Sequence, residues 1–217
     1  MKMLTTIEEK LKPEHTALII IDYQNDFCHD DGVLGKAGYN TKPLQAIEAN
    51  LIRLADAARQ VGTLVVWVRN AYTTKNNLYL SPVYIEQALR RFGGRSVTTP
   101  LCEPGSWGQD FYGRVQPQPD EAIVTKHRFN AFVGTDLEVI LRAKSIQTVL
   151  ICGVTTNICV ESTARHAFFV DYYVVVPTDA VANWEKPAHD AALANINFGF
   201  GQLTTVDEVL SIWGVAR

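Results

Sequence analysis

The sequence lacks any long apolar run. No stretch approaches the roughly 20 consecutive apolar residues that a membrane-spanning helix needs. The N-terminal segment "MKMLTTIEEKLKPEH" also lacks the apolar centre of a signal peptide. These absences predict a cytoplasmic protein with no membrane partner, in which thiols stay reduced.

The sequence also lacks an excess of one charge. Its 20 basic and 23 acidic residues are mixed along the chain and leave a formal net charge of −3. Proteins that bind nucleic acid usually carry a basic patch or stripe. We therefore predict no nucleic-acid partner.

Closely spaced cysteine pairs are absent as well. The four cysteines are scattered and form no C-x-x-C pair; they are Cys28, Cys102, Cys152 and Cys159. A structural zinc site usually takes paired ligands, so none is predicted. Because a buried cysteine is often only a small apolar side chain, the question is whether any of these thiols is reactive.

Apolar, β-branched runs alternate with helical patterns along the chain. Consecutive apolar residues in the central runs are typical of parallel strands that are covered on both faces. The alternation predicts an α/β fold with a doubly wound parallel sheet, and the length of 217 residues predicts a single domain over 1–217. The six predicted strands lie at 16–22, 62–70, 121–126, 147–153, 172–177 and within 201–209.

Two helix ends carry local signals. The segment 43–62 repeats apolar residues at helical spacing and stops at Gly62, which predicts a C-cap. The segment "TDLEVILRAKS" predicts an N-cap at Thr135, with Glu138 completing a capping box.

The region from about 71 to 120 breaks the alternating pattern. It is rich in Tyr, Gly, Pro and Arg, with one short helical pattern around 81–94. A long irregular segment in a compact domain is usually a binding loop or lid. We therefore predict a substrate or interface loop here.

An acid, a base and a thiol follow three of the predicted strands. Asp22 ends the first strand, Lys126 ends the third from the N-terminus, and Cys159 follows the fourth at the start of a helix. Ligands of open parallel sheets bind beyond these carboxyl ends. Taken singly, Asp22 is equally explained as a turn carboxylate, and the favoured explanations of Lys126 and Cys159 are a solvated lysine and a buried thiol.

Taken together, the three side chains suggest nucleophilic catalysis. A cysteine attacks as its thiolate, and a helix N-terminus or a nearby ammonium group lowers the thiol pKa. Asp22 would take the proton, and Lys126 would hold Asp22 ionised. Backbone N–H groups in "VTTNIC" would stabilise the oxyanion that follows attack on a carbonyl.

Three segments resemble, in order and spacing, the signature blocks of the isochorismatase-like cysteine hydrolases. They are "ALIIIDYQNDF", "VTKHRFNAF" and "ICGVTTNICVESTARHA". The resemblance implies a Rossmann-like three-layer α/β/α sandwich around a mainly parallel six-stranded sheet, and a homodimer or homotetramer. It also implies a catalytic triad of Asp22, Lys126 and Cys159, with an oxyanion hole formed by the N–H groups of Thr155 and Cys159. A non-proline cis peptide bond of the family would fall at Val154–Thr155.

Branches of this family differ in chemistry. The nicotinamidases bind a metal through an Asp-x-His pair after the second strand, where this chain reads "VRNAYTTKNN". The five histidines include no metal-spaced pair, so neither a metal nor another cofactor is predicted; they are His15, His29, His127, His166 and His189. Isochorismatases that cleave a vinyl ether need no thiol, so Cys159 favours amide hydrolysis.

Further segments resemble the carbamoyl-amide hydrolases of the family, which include the ureidoacrylate, biuret and triuret hydrolases. The segments are "WVRNAY", "GSWGQDFYGRV", "RFNAF" and "NICVESTARHAFFVDYY". The resemblance implies a metal-independent amidohydrolase that cleaves a small carbamoyl or ureido amide through a thioester and releases ammonia. The alternatives are an N-carbamoylsarcosine-type or maleamate-type amidase, a vinyl ether hydrolase, and an inactive binding protein.

Six side chains are candidates for contact with such a substrate. Arg128 would pair with a substrate carboxylate, since its planar fork matches that group. Simple packing or solvation explains each candidate equally well. The six are Gln24, Asn70, Tyr72, Trp107, Arg128 and Phe129.

Overall fold

Seven strands pair in parallel in one sheet. A computed structural model describes residues 3–72, 76, 78–92 and 100–215. The sheet order is β3-β2-β1-β4-β5-β7, and β6 pairs with β4 off this path. The strands are β1 (Thr16–Ile21), β2 (Leu64–Asn70), β3 (Ala122–Lys126), β4 (Thr148–Val154), β5 (Tyr173–Pro177), β6 (Val181–Ala182) and β7 (Gln202–Thr204).

Helices connect and cover these strands. Every residue of β1 and β4 is buried, and because successive side chains of a strand point to opposite faces, both faces of the sheet are covered. The predicted α/β/α architecture is therefore confirmed. The helices are α1 (Ile7–Lys10), α2 (Asn25–Cys28), α3 (Val33–Lys36), α4 (Lys42–Ala46), α5 (Glu48–Val61), α6 (Pro82–Phe92), α7 (Leu137–Ala143), α8 (Glu161–Phe169), α9 (Lys186–Asn195) and α10 (Val206–Ile212).

Short helical turns complete the described backbone. Two are 3₁₀ turns, at Pro13–His15 and Trp107–Gln109, and two are π-helical turns, at Thr156–Val160 and Ile196–Phe200. None of the helices in the described ranges is both long and apolar enough to cross a membrane.

The six predicted strands all occur, but the sheet has a seventh. The extra strand, β6, has only two residues, so it is too short to show a periodic pattern. Gly62 ends α5 in a left-handed conformation, with φ +74°, as predicted. The capping box was wrong, because α7 begins at Leu137 with Asp136 as its N-cap; the Thr135 hydroxyl accepts from the Leu137 N–H at 3.3 Å and donates to the Ala131 carbonyl.

The carboxyl ends of β1 and β4 lie unusually close together. Gly153 pairs with Ile21 and has φ +106°, and a Cβ atom at Gly153 would lie 2.1 Å from the Ile21 carbonyl oxygen. Only glycine tolerates both the conformation and the contact. The peptide bond Val154–Thr155, which follows, is cis, as the resemblance implied.

Candidate active site

Asp22, Lys126 and Cys159 meet at the carboxyl edge of the sheet. The Lys126 Nζ lies 2.8 Å from Oδ2 of Asp22 and 3.5 Å from Sγ of Cys159. It also donates a hydrogen bond to the Arg128 carbonyl at 3.0 Å. All three side chains of the predicted triad are buried, so their mutual interactions are weakly screened by water.

The strand ends position each of these residues. Asp22 directly follows β1 and takes a left-handed conformation with φ +52°. Its backbone N–H donates a hydrogen bond to the Val68 carbonyl at 2.8 Å, which holds the residue in place. A non-glycine residue in this region of φ,ψ space is uncommon and often marks a functional site. Lys126 is the last residue of β3 and pairs with Asn70, the last residue of β2.

Cys159 lies in the π-helical turn that precedes α8. The Thr155 carbonyl accepts hydrogen bonds from the N–H groups of Ile158 and Val160, which wraps the turn tightly. Thr155 is itself buried. Single π-turns are frequent at functional sites.

Burial and charge set the protonation of the site. Burial raises the pKa of Asp22, although Lys126 and Cys159 oppose this shift. Burial works to lower the pKa of Lys126, but the neighbouring Asp22 and Cys159 outweigh it, so the pKa is raised and the ammonium form persists. Burial also raises the pKa of Cys159 to about 12, even with Lys126 beside it.

The sequence predicted a lowered pKa for the Cys159 thiol, and burial reverses that direction. The Lys126 ammonium group does not compensate for the loss of solvent around Sγ and for the nearby Asp22 carboxyl. The resting form of Cys159 is therefore the thiol. A base must remove its proton during attack, and Asp22, with a raised pKa, is well suited to accept and return a proton.

Aromatic side chains form one wall beside the thiol. Tyr72 is buried, with its hydroxyl 4.0 Å from Sγ of Cys159. Its ring centroid lies 6.0 Å from that of Phe129 and 5.3 Å from that of Tyr84 in α6. Two predicted substrate contacts, Tyr72 and Phe129, thus lie together at the site.

Asn70 and Gln24 are both fully buried but differ in their hydrogen bonding. Neither the amide oxygen nor the amide nitrogen of Asn70 makes a well-formed side-chain hydrogen bond with the described residues. The Gln24 amide is engaged by backbone: its Oε1 accepts from the Asn70 N–H at 2.7 Å, and its Nε2 donates to the carbonyls of Asn70 and Gln109. Buried polar groups normally have partners, and the Tyr72 hydroxyl is the polar group with which the Asn70 amide interacts.

Arg128 and Trp107 lie farther from the thiol. The Arg128 guanidinium donates to the carbonyls of Tyr79 and His127, and it lies 5.8 Å from the Tyr84 ring. Trp107 is half-exposed, packs against His29 and lines a separate cleft of about 540 Å³. The described contacts of Trp107 do not include a triad side chain.

Sequence reasoning missed Tyr84 and Gln109. Tyr84 belongs to the predicted short helix of the 71–120 loop, where an aromatic residue was the only signal. Gln109 is buried, and its carbonyl anchors Gln24 from 85 residues along the chain, a contact that no local pattern reveals.

Within residues 3–72, 76, 78–92 and 100–215, no cluster of three or more His, Cys, Asp or Glu side chains could hold a metal ion. The described positions after β2 are Ala71 and Tyr72, neither of which is a metal ligand of the nicotinamidase type. The absence of a metal stays a prediction.

The described hydrogen bonds of the other three cysteines do not involve a triad side chain. Cys28, Cys102 and Cys152 are fully buried and free. Cys152 lies within β4, where its thiol donates to the Ile19 carbonyl at 3.6 Å. Its core position agrees with the sequence prediction.

Comparison with known proteins gives consistent matches over most of the chain. The isochorismatase domain model matches residues 16–208. The ureidoacrylate amidohydrolase RutB of Enterobacter sp. (strain 638) is 32% identical over 200 residues, which cover 89% of this chain and 87% of RutB.

Solved structures share the fold. A cysteine hydrolase from Pseudomonas syringae pv. phaseolicola 1448A has a TM-score of 0.80 at 25% identity and covers 94% of this chain and 95% of its own. The nicotinamidase PncA from Bacillus subtilis has a TM-score of 0.73 at 29% identity and covers 88% of this chain and 99% of its own.

Proposed function

Because this chain belongs to the isochorismatase family, we propose that it is a metal-independent cysteine amidohydrolase acting on a small carbamoyl or ureido amide. The observation that carries the proposal is the cluster in which one ammonium group lies 2.8 Å from a carboxylate and 3.5 Å from a thiol. Similarity to a ureidoacrylate amidohydrolase supports the choice of substrate class.

The first half-reaction forms a thioester. Asp22 takes the Cys159 proton as sulfur attacks the carbonyl carbon, and the S–C bond forms while the carbonyl electrons move to oxygen. The N–H groups of Thr155 and Cys159 would stabilise that oxyanion. Protonated Asp22 then returns the proton to the nitrogen, the C–N bond breaks, and ammonia leaves.

The second half-reaction restores the enzyme. Asp22 accepts a proton from water, and the oxygen attacks the thioester carbonyl. The C–S bond breaks, and the departing sulfur recovers a proton from Asp22. Lys126, kept protonated by its neighbours, stabilises negative charge on the carboxylate and on sulfur in both halves.

Substrate recognition follows from the same geometry. We propose that the buried Asn70 amide, which interacts with the Tyr72 hydroxyl, also pairs with the planar carbamoyl group, while Tyr72 and Phe129 cover the faces of that group. Arg128 would meet a carboxylate at the far end of the substrate. Gln24 acts indirectly, by holding the backbone of Asn70, and Trp107 is the weakest of the six candidates because it lines a different cleft.

A substrate panel with matched cysteine variants tests the proposal. Wild type and Cys152→Ala should release ammonia from at least one ureido or carbamoyl amide, and Cys159→Ala should not. Cys152 is the control because its thiol is also buried but lies inside β4. Equal ammonia release by wild type and Cys159→Ala would overturn the thiol mechanism.

The alternatives have distinct outcomes in the same panel. Preferential turnover of N-carbamoylsarcosine or maleamate would identify one of the alternative amidases. Turnover of isochorismate without any amide would place the chain in the vinyl ether class. Activity that disappears with a chelator and returns with a metal would contradict the metal-independent mechanism.

We further infer a cytoplasmic homodimer or homotetramer whose partner is its small-molecule substrate, with no nucleic-acid or membrane partner. Exposed Phe168 and Phe169, which contact each other and Phe200, support self-association, since surface aromatic patches often mark interfaces. Sedimentation velocity measures this directly, and a monomer at working concentrations would contradict it.

A further inference from the structure

The hydroxyl group of Tyr72 faces the sulfur of Cys159. The two atoms lie 4.0 Å apart, within the reach of a hydrogen bond to sulfur, and both side chains are buried. The Tyr72 ring is fixed by its packing on Phe129 and Tyr84, and the Lys126 Nζ lies 5.5 Å from its centroid. The position of the hydroxyl is thus set by the aromatic wall.

In this contact the proton stays on the hydroxyl oxygen of Tyr72. Burial, followed by the nearby Cys159, raises the pKa of Tyr72 well above its ordinary value. The hydroxyl therefore keeps its proton while Cys159 cycles between thiol and thiolate. A neutral hydroxyl beside a sulfur anion donates, and hydrogen bonds to a charged acceptor are stronger than those between neutral groups.

The thiolate needs more than one donor. When Asp22 has taken the proton, the sulfur carries negative charge in a buried site, where an unpaired anion is strongly unfavourable. Lys126 supplies one donor, at 3.5 Å. Because hydrogen bonds at an active site often tighten only when charge develops, the longer contact to Tyr72 is suited to the charged state.

We propose that Tyr72 is a further catalytic residue, whose hydroxyl donates a hydrogen bond to the Cys159 sulfur when it attacks and when it leaves the thioester. No bond to Tyr72 forms or breaks, since Asp22 carries the transferred proton in both half-reactions. This inference rests on the proposed function, in which Cys159 is the nucleophile. It differs from a role in substrate contact, which would act on the amide and leave the sulfur unaffected.

The rate of Cys159 alkylation tests the effect of Tyr72 on the sulfur without any amide substrate. Iodoacetamide modifies the thiolate, and peptide mass spectrometry resolves Cys159 from the three other cysteines. Between about pH 6 and pH 10, Tyr72→Phe should alkylate Cys159 about tenfold more slowly than wild type, as expected for a thiol pKa raised by one unit. Tyr112→Phe is the matched control, because it removes the same atom from a tyrosine that packs on Tyr23.

A second variant guards against a folding defect. Replacing Tyr72 by 3-fluorotyrosine keeps the ring and makes the hydroxyl a stronger donor, so Cys159 alkylation should become faster. If Tyr72→Phe and the fluorinated protein both alkylate at the wild-type rate, the proposal is overturned. If Tyr72→Phe does not fold, the fluorinated protein alone decides.

Steady-state kinetics separate this inference from the proposed function. A sulfur donor predicts a lower kcat for Tyr72→Phe with little change in KM, whereas a substrate contact predicts a higher KM with normal alkylation. Slower alkylation in a protein that hydrolyses no amide would support the role of Tyr72 at sulfur and reject the proposed reaction. Ammonia release by the wild type, together with unchanged alkylation in Tyr72→Phe, would support the proposed reaction and reject the role of Tyr72 at sulfur.

Discussion

At the scale of single residues, the buried pair of Asp22 and Lys126 would link the proposed catalysis to stability. Each side chain is at most 1% exposed, and the two form an ion pair at 2.8 Å. Removing one partner of a buried pair usually costs about 3–5 kcal/mol, because the remaining charge is left without compensation. A catalytic variant here therefore changes the fold energetics as well as the chemistry.

Asp22→Asn should abolish ammonia release and lower the free energy of unfolding by about 3–5 kcal/mol. The double variant Asp22→Asn/Lys126→Met should also be inactive but should recover most of that free energy, because no buried charge remains unpaired. Urea unfolding measures both effects. Wild-type stability in Asp22→Asn alone would show that the carboxyl is neutral in the resting enzyme.

Gly153 is the residue that lets β1 and β4 converge on the site. Gly153→Ala would place Cβ 2.1 Å from the Ile21 carbonyl oxygen in a left-handed conformation, so either strand end must move. We expect a loss of about 2–4 kcal/mol in unfolding free energy and a large loss of turnover, because these strand ends carry Asp22 and lead to Cys159.

Gly134→Ala isolates the conformational part of that effect. Gly134 also has a positive φ, of +68°, but nothing lies within 4 Å of its Cβ position. This control should lose only about 1–2 kcal/mol and keep its activity. Equal losses for the two variants, measured by urea unfolding, would mean that the close approach of the strands is unimportant.

At the scale of elements, the apolar strands were predictable and the local irregularities were not. The strands were readable because a parallel strand buried on both faces is apolar at consecutive positions. The π-turn at Thr156–Val160 has no residue signature, since it is defined by backbone hydrogen bonds. The Thr135 capping box was misplaced because the helix begins at Leu137 with Asp136 as N-cap, although the Thr135 hydroxyl still accepts a hydrogen bond from the Leu137 N–H.

The same contrast holds for the active site. Asp22, Lys126 and Cys159 were readable because each lies at the end of a strand or in the turn that follows it. The hydrogen bonds that hold Gln24 and Asn70 could not be read from the sequence, since they depend on Gln109 folding back from the 71–120 loop. Long-range backbone contacts of this kind leave no periodic trace in the sequence.

Glu121, just before β3, ties that strand to α5 and β2. Its carboxylate accepts hydrogen bonds from the Arg59 guanidinium at 2.8 and 3.0 Å, from the Trp67 indole at 2.7 Å and from the Gln118 N–H at 2.7 Å. Burial opposes ionisation of Glu121, but these donors outweigh it and lower its pKa below the ordinary 4.5. The edge of the sheet that carries Lys126 is therefore held by an ionised glutamate.

Glu121→Gln should lower the free energy of unfolding by about 2 kcal/mol at neutral pH. Because the folded-state pKa is depressed, the contribution of Glu121 is present above the unfolded-state pKa and is lost as pH falls through the folded value. The difference between wild type and variant should thus shrink in acid. The exposed pair of Glu138 with Arg142 is the control, and Glu138→Gln should lose under about 0.5 kcal/mol. A difference that stays constant with pH would contradict the argument.

At the scale of the whole molecule, the fold gathers reactive groups from distant parts of the chain and hides all the thiols. Asp22, Lys126 and Cys159 come from three different strand ends, and only assembly of the sheet brings them together. The four cysteines are all buried and free, and Cys159 is 5% exposed while the others are at 0%. The labelling rate of each thiol therefore measures how readily the part of the structure around it becomes exposed.

Labelling with iodoacetamide should follow that order. Cys159 should react first, because it is the least buried of the four thiols and because, in the proposed mechanism, Asp22 accepts the thiol proton. Cys152 should react last, because burial raises its pKa and β4 is paired with β1 along its length, so exposure requires the sheet to open. Its labelling rate should rise with urea in parallel with global unfolding, whereas that of Cys159 should depend little on low urea. Mass spectrometry of timed samples measures both rates, and Cys152 labelling that is insensitive to urea would show that the central strands open locally.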